Sequence, residues 1–281
     1  MSNASASPSP RPLRVAAVQM VSKPDIAANL RDAAALIGDA VARGARLVAL
    51  PEYFCLMGKE TDKVAAREAD GKGPIQDFLA ESAARHRIWL VGGTVPLVAP
   101  QPDHVMNSVL VYGPDGARVA RYDKIHLFAF ATGDESYDEA KTITPGRSAR
   151  SFDVAAADGP KLKVGLSVCY DLRFPELYRS LGQPDLILVP AAFTATTGRA
   201  HWLTLLRARA IENLCYVLAP AQGGRHENGR ATFGHSVLFD PWGETIAQID
   251  HGPGVIVGDV DPGRIAQVRA SLPALSHRVF A

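Results

Sequence analysis

The chain has 281 residues, 47% of them hydrophobic, with 30 Lys and Arg against 29 Asp and Glu. That is enough apolar material to bury a sizeable core. A net charge of +1 offers no basic field for nucleic acid or an anionic membrane, so composition points to a soluble globular protein with a small partner.

Met1 to Pro12 is rich in Ser, Ala and Pro and lacks the basic and apolar regions of a secretory signal; a disordered tail is expected there. The rest, residues 13–281, contains no internal linker and no short repeat, so one domain is expected. Arg14 to Met20 reads as a strand. Asp25 to Arg43 has helical apolar spacing and stops at Gly44. Leu47 to Leu50 is a buried-type strand, Pro74 opens a helix to about His86, and Ile88 to Val95 is a further strand. Ser108 to Tyr112 and Ala117 to Tyr122 flank the turn Gly113-Pro-Asp-Gly116 and predict a hairpin. Strands follow at Leu162 to Val168 and Leu186 to Val189, with a short helix at Pro175 to Leu181 between them. Arg199 to Asn213 predicts a helix. Strands at Cys215 to Ala219, Ser236 to Phe239 and Gly254 to Val260 precede a last helix at Pro262 to Leu272. Helices and strands thus alternate among hairpins, which predicts a layered α/β or α+β sandwich.

No apolar run approaches the ~20 residues needed to cross a bilayer. The three cysteines, Cys55, Cys169 and Cys215, supply neither a disulfide framework nor zinc spacing, so no metal site and a cytoplasmic location are expected. Serine elbows and phosphate-binding glycine loops are also missing.

Three segments combine a reactive side chain with a strand end. In Leu50-Pro-Glu52 a carboxylate follows a buried strand, where desolvation raises its pKa toward general acid/base use; the competing reading is a solvated loop glutamate. In Tyr122-Asp-Lys124-Ile-His-Leu a lysine among apolar residues can hold a positive charge beside an oxyanion. Alternatively its stem packs and its head reaches water. His126 is expected to be a satisfied structural histidine. Finally, Ser167-Val-Cys169-Tyr-Asp-Leu-Arg-Phe-Pro-Glu176 places a cysteine between a buried strand and a helix, the layout of a nucleophile elbow. A helix N-terminus there is expected to favour the thiolate. Cys55 and Cys215 read as buried and inert.

Taken in order, these segments resemble the nitrilase (carbon-nitrogen hydrolase) superfamily, whose triad is Glu, Lys and Cys. The resemblance covers nearly the whole chain from Leu13. It implies a four-layer α-β-β-α sandwich associating through its outer helices as a homodimer or larger homo-oligomer. It also implies a second glutamate a fixed distance before a Pro-Gly: Glu139, ahead of Pro145-Gly146, with Glu135 as a rival. Phe193 to Trp202 and Leu206 to Asn213 are similar to the Nit branch. Ala221-Gln-Gly-Gly-Arg-His226, Gly234-His-Ser-Val and Asp240-Pro-Trp-Gly243 are most similar to its deaminated glutathione amidases.

The implied mechanism makes Cys169 the nucleophile, Glu52 the general acid/base and Lys124 the oxyanion stabiliser, with help from the Tyr170 amide and no cofactor. The implied substrate is a small ω-amide of a keto acid, whose carboxylate Arg173 would bind; Thr194 and Arg225 are further pocket candidates, and Trp202 is expected to pack. An ω-amidase or a carbamoyl-group hydrolase of the same superfamily is the alternative enzyme. A catalytically silent scaffold is the alternative from another class, and a Cys–His enzyme using His126 or His235 stays open.

Overall fold

A computed structural model describes residues 11–133, 135–155 and 161–280, with the Glu135 side chain also outside the description. The expected tail, and the choice of Glu135 as second glutamate, therefore fall largely outside the described residues. Strand β1 (Leu13–Gln19) leads to helix α1 (Ile26–Ala42), which Asp25 caps by accepting from the Ala28 amide at 3.0 Å. Next come β2 (Leu47–Ala49), α2 (Glu60–Ala65), α3 (Pro74–His86), β3 (Trp89–Val91), β4 (Val95–Val98), β5 (Val105–Tyr112) and β6 (Arg118–Asp123). A small hairpin, β7 (Ala129–Thr132) and β8 (Glu135–Asp138), precedes β9 (Arg150–Ala155), β10 (Lys161–Leu166), α4 (Pro175–Ser180) and β11 (Leu186–Leu188). The chain continues through α5 (Ala195–Asn213), β12 (Tyr216–Ala219), β13 (Ser236–Phe239), β14 (Thr245–Ile249), β15 (Gly254–Val260) and α6 (Pro262–Ser271).

The strands form a 7-stranded sheet, ordered β15-β1-β2-β3-β5-β4 with β6 on β5, and a 6-stranded sheet, ordered β14-β13-β12-β11-β10-β9. Strand periodicity assigns the layers. On β1, Ala16 and Val18 turn toward Ala33, Ile37 and Ala40 of α1 and Ile75, Leu79 and Ala83 of α3. Val15 and Ala17 turn the other way, into a core with Val164, Leu166, Val217 and Val237 of the second sheet. That sheet is backed by Trp202, Leu206 and Ala210 of α5 and Ile265 of α6. The result is the four-layer α-β-β-α sandwich, and Trp202 packs as expected.

Two expectations need correction. The run Ile88 to Val95 is two strands, not one: Gly93 adopts φ +50, and a Cβ there would collide with the Pro51 carbonyl. Helix α5 begins at Ala195 rather than Arg199, because Thr194 caps it by accepting from the Thr197 amide at 3.3 Å.

Candidate active site

The site lies between the two sheets, beyond the C-terminal ends of β2, β6 and β10. Leu50 and Pro51 follow β2, and Glu52 turns inward to 1% exposure. A carboxylate buried this deeply must be hydrogen-bonded. Its Oε1 accepts from Lys124 Nζ and Asn107 Nδ2, both at 3.0 Å. Its Oε2 accepts from the Ala192 amide at 2.9 Å, and that bond ties the first sheet to the loop after β11 in the second.

Lys124 follows β6 directly and is 1% exposed. Its backbone is fixed on both sides, donating to Asn107 O at 3.0 Å and accepting from the Gly146 amide at 2.8 Å. Besides Glu52, its ammonium donates to Glu139 Oε1 at 2.9 Å and Oε2 at 2.7 Å. Glu139 also accepts from Tyr53 OH at 2.9 Å and the Phe128 amide at 2.7 Å. Burial works against the Lys124 charge, but Glu139 and Glu52 outweigh it and hold the ammonium above its ordinary range. Burial likewise raises Glu139, and Lys124 overrides it to bring the carboxyl below its usual value.

Cys169 sits at φ +49, a left-handed backbone unusual for a residue with a side chain. Its amide donates to Pro190 O at 2.9 Å, fixing the turn on the neighbouring strand. Asp171, fully buried, braces the same turn: it accepts from the Val168 amide at 2.9 Å, Tyr122 OH at 2.6 Å and the His126 amide at 3.0 Å. The His126 ring bonds Asp171 at 2.7 Å and stacks on Phe174 with centroids 3.7 Å apart. It therefore supports the elbow.

The helix expected to favour a thiolate does not begin at the cysteine. The α-helix starts only at Pro175, and Cys169 opens a 3-10 turn instead. Burial, then the Glu52 carboxylate, push the thiol well above its ordinary pKa, against a smaller lowering by Lys124. Two carboxylates and one ammonium surround the sulfur, and a further anion is disfavoured there. Cys55, 1% exposed and pushed up to about 12 by burial, and Cys215, fully buried, are plain core residues.

Cys169 opens into a chamber lined by Phe128, Glu139, Tyr170, Phe193, Thr194 and Arg230, among others. Its free volume is about 10 Å³, room for roughly one water. An outer vestibule of about 340 Å³ shares Phe128, Glu139 and Arg230 with it. A larger concavity of about 500 Å³ elsewhere, around Lys23, Asp32 and Arg225, has no cysteine in its lining. Arg225 thus lies away from the chamber, and Arg173 is not among its lining residues. Tyr53, Asn107, Ala192 and Arg230 are participants that sequence reasoning missed. Among the described residues there is no cluster of His, Cys, Asp and Glu arranged to hold a metal ion, and no helix is long and apolar enough to cross a membrane.

A buried Glu–Lys–Glu network beside a cysteine in a left-handed elbow, held between two sheets, defines a class of amide-cleaving sandwich enzymes. The chain belongs to the carbon-nitrogen hydrolase family, which its residues 14–270 match. It is similar to a deaminated glutathione amidase of Synechocystis sp., at 42% identity over 96% of this chain and 99% of that one. It is also similar to a human omega-amidase, at 33% identity over 94% of each chain. Among solved structures, Saccharomyces cerevisiae Nit3, a member of branch 10 of the nitrilase superfamily, superimposes with TM-score 0.84 at 30% identity, covering 99% of this chain and 100% of that one.

Proposed function

We propose that the protein hydrolyses a small ω-amide of a keto acid, with deaminated glutathione as the leading substrate and 2-oxoglutarate and cysteinylglycine as products. The observation that carries this reading is the convergence of Glu52, Lys124 and Glu139 on one buried network at the chamber of Cys169. The choice of amide leans on the similarity to deaminated glutathione amidases.

In the first half-reaction the Cys169 sulfur attacks the amide carbonyl carbon while its proton passes to Glu52. Keeping that proton until attack fits a thiol that is hard to ionise in advance. The C–S bond forms and the carbonyl π pair moves to oxygen, giving an oxyanion. Lys124 and the Tyr170 amide stabilise it; losing one such donor typically costs ~100–1000-fold in rate. Glu52 returns the proton to the departing nitrogen as the C–N bond breaks, leaving a thioester. In the second half Glu52 takes a proton from water as the new C–O bond forms, and it returns that proton to sulfur as the C–S bond breaks, restoring both the thiol and the carboxylate. Glu139 holds the Lys124 ammonium in place. Thr194 closes the wall of the chamber at the start of α5.

Mass spectrometry of protein quenched during turnover tests this directly. The acyl mass of 2-oxoglutarate on Cys169, with release of 2-oxoglutarate from deaminated glutathione, is expected. An acyl group on another residue, or none during demonstrated turnover, overturns it. The similarity to the omega-amidase favours a second reading, hydrolysis of 2-oxoglutaramate. The two are separated by comparing kcat/KM on both amides.

A further inference from the structure

The chamber wall contains a cation that the acylation steps do not use. Arg230 lines both the chamber and the vestibule, so it stands where one opens into the other. We propose that Arg230 is the carboxylate-binding residue of the acyl subsite, receiving the carboxylate of the group that becomes attached to Cys169. The proposal rests on the keto-acid amide reading above and moves the anion-binding role from Arg173 to Arg230.

Three observations carry it. Arg230 Nε is buried and has no hydrogen-bond partner. A buried donor without a partner is costly and rare in a folded protein, and here it belongs to a group facing a cavity. Second, the guanidinium is already oriented. Its Nη2 donates to Ala192 O at 2.9 Å, on the same residue whose amide holds Glu52, and it lies over the Tyr137 ring at 5.2 Å. The Arg230 amide donates to Asn228 Oδ1 at 3.0 Å, which fixes the loop that delivers it. Third, among the described residues no carboxylate lies within ion-pair distance of Arg230; Glu52 and Glu139 act on its charge only from farther off. A planar fork held on one side and open on the other suits a bidentate carboxylate.

The other cations near the chamber are committed or screened. Arg173 donates to His201 Nδ1 at 3.4 Å and lies over the Tyr170 and Phe193 rings, at 5.6 and 5.3 Å. Lys141 faces the vestibule, but its side chain is 76% exposed and 4.0 Å from Asp138. Local charge also matters. Glu52 and Glu139 outnumber Lys124, so an anionic acyl group entering without a further cation would be repelled. Arg230 brings the chamber to balance before the substrate arrives.

The test uses the full chain with Arg230→Met, Arg230→Lys and Arg173→Met. Each is assayed on 2-oxoglutaramate, deaminated glutathione and pentanamide, which lacks the carboxylate. In Arg230→Met the ratio of kcat/KM for the carboxylated amides over pentanamide should fall by at least about 30-fold, mainly through KM. Arg230→Lys should recover part of it, and Arg173→Met should keep the wild-type ratio. The fall should be equal for the two carboxylated amides, which share an acyl group and differ in the leaving amine. A fall confined to deaminated glutathione assigns Arg230 to the leaving peptide and overturns the proposal, as does an unchanged ratio or one that falls in Arg173→Met instead. If the wild type turns over neither keto-acid amide, the proposed function fails first. Protection of Cys169 from iodoacetamide by 2-oxoglutarate then decides: protection lost in Arg230→Met keeps the subsite, and equal or absent protection in both proteins removes it.

Discussion

A sulfur is useful to an amidase only if its proton has somewhere to go. Burial and the negative charge of Glu52 push the Cys169 thiol above its ordinary pKa, with Lys124 pulling the other way. Replacing Glu52 with Gln removes one of the two charges that resist ionisation. The rate of Cys169 alkylation by neutral iodoacetamide should therefore rise with pH in both proteins, with the Glu52→Gln profile displaced to lower pH. Turnover should nonetheless fall by at least roughly 1000-fold, since the proton carrier is gone. A profile displaced upward would show that Glu52 does not face the sulfur. At neutral pH the alkylation should label Cys169 and leave Cys55 and Cys215 intact, as both are sealed in the core.

At the scale of elements, the backbone that carries Lys124 is gripped by its neighbours. Gly146 donates its amide to Lys124 O at 2.8 Å, and a Cβ on Gly146 would collide with the Asp123 carbonyl. Gly146→Ala must push the end of β6 away, moving the ammonium relative to both carboxylates. Displacements of about 1 Å at a reacting group cost on the order of 100-fold, so kcat should drop by about that factor together with a lower Tm. An unchanged kcat would mean the strand end accommodates the methyl group without moving Lys124. This contact also explains what was legible in the sequence. Glu52, Lys124 and Cys169 each follow a strand, and the three ordered motifs stand out because apolar runs announce those strand ends. Asn107 lies inside β5, whose residues are all buried, so its polar side chain carried no sequence signal of a role. Arg230 leaves a polar Asn-Gly turn that looks like any surface loop. The unpredicted strands have physical reasons too. On β7 and β14 the side chains are mostly exposed, and β9 turns only Phe152 and Val154 inward, so no apolar rhythm marks them.

For the molecule as a whole, the charged network is also a structural joint. It joins β5, β6 and the loop after β2 in one sheet to the loop after β11 in the other. Buried ion pairs fail badly when one partner is removed. Burial alone would raise the Glu139 carboxyl, but Lys124 holds it below its usual 4.5. A carboxyl depressed in the fold contributes stability above its unfolded value, and that contribution is lost as pH falls through the folded value. The Tm of the wild type should therefore decline steeply on acidification below about pH 4.5. Its advantage over Glu139→Gln, large near neutral pH, should shrink across the same window in thermal melts. A constant gap would mean that the network adds no pH-dependent stability.

A sulfur whose pKa is pushed up by burial and by Glu52 bears on life in the presence of peroxide. Oxidants attack thiolates, and susceptibility follows ionisation and access. Under the mechanism proposed above, the nucleophile ionises only while an acyl donor is being attacked, which presents little for hydrogen peroxide to oxidise between turnovers. Idle protein incubated with the oxidant should outlast thiol enzymes that store a ready-made anion.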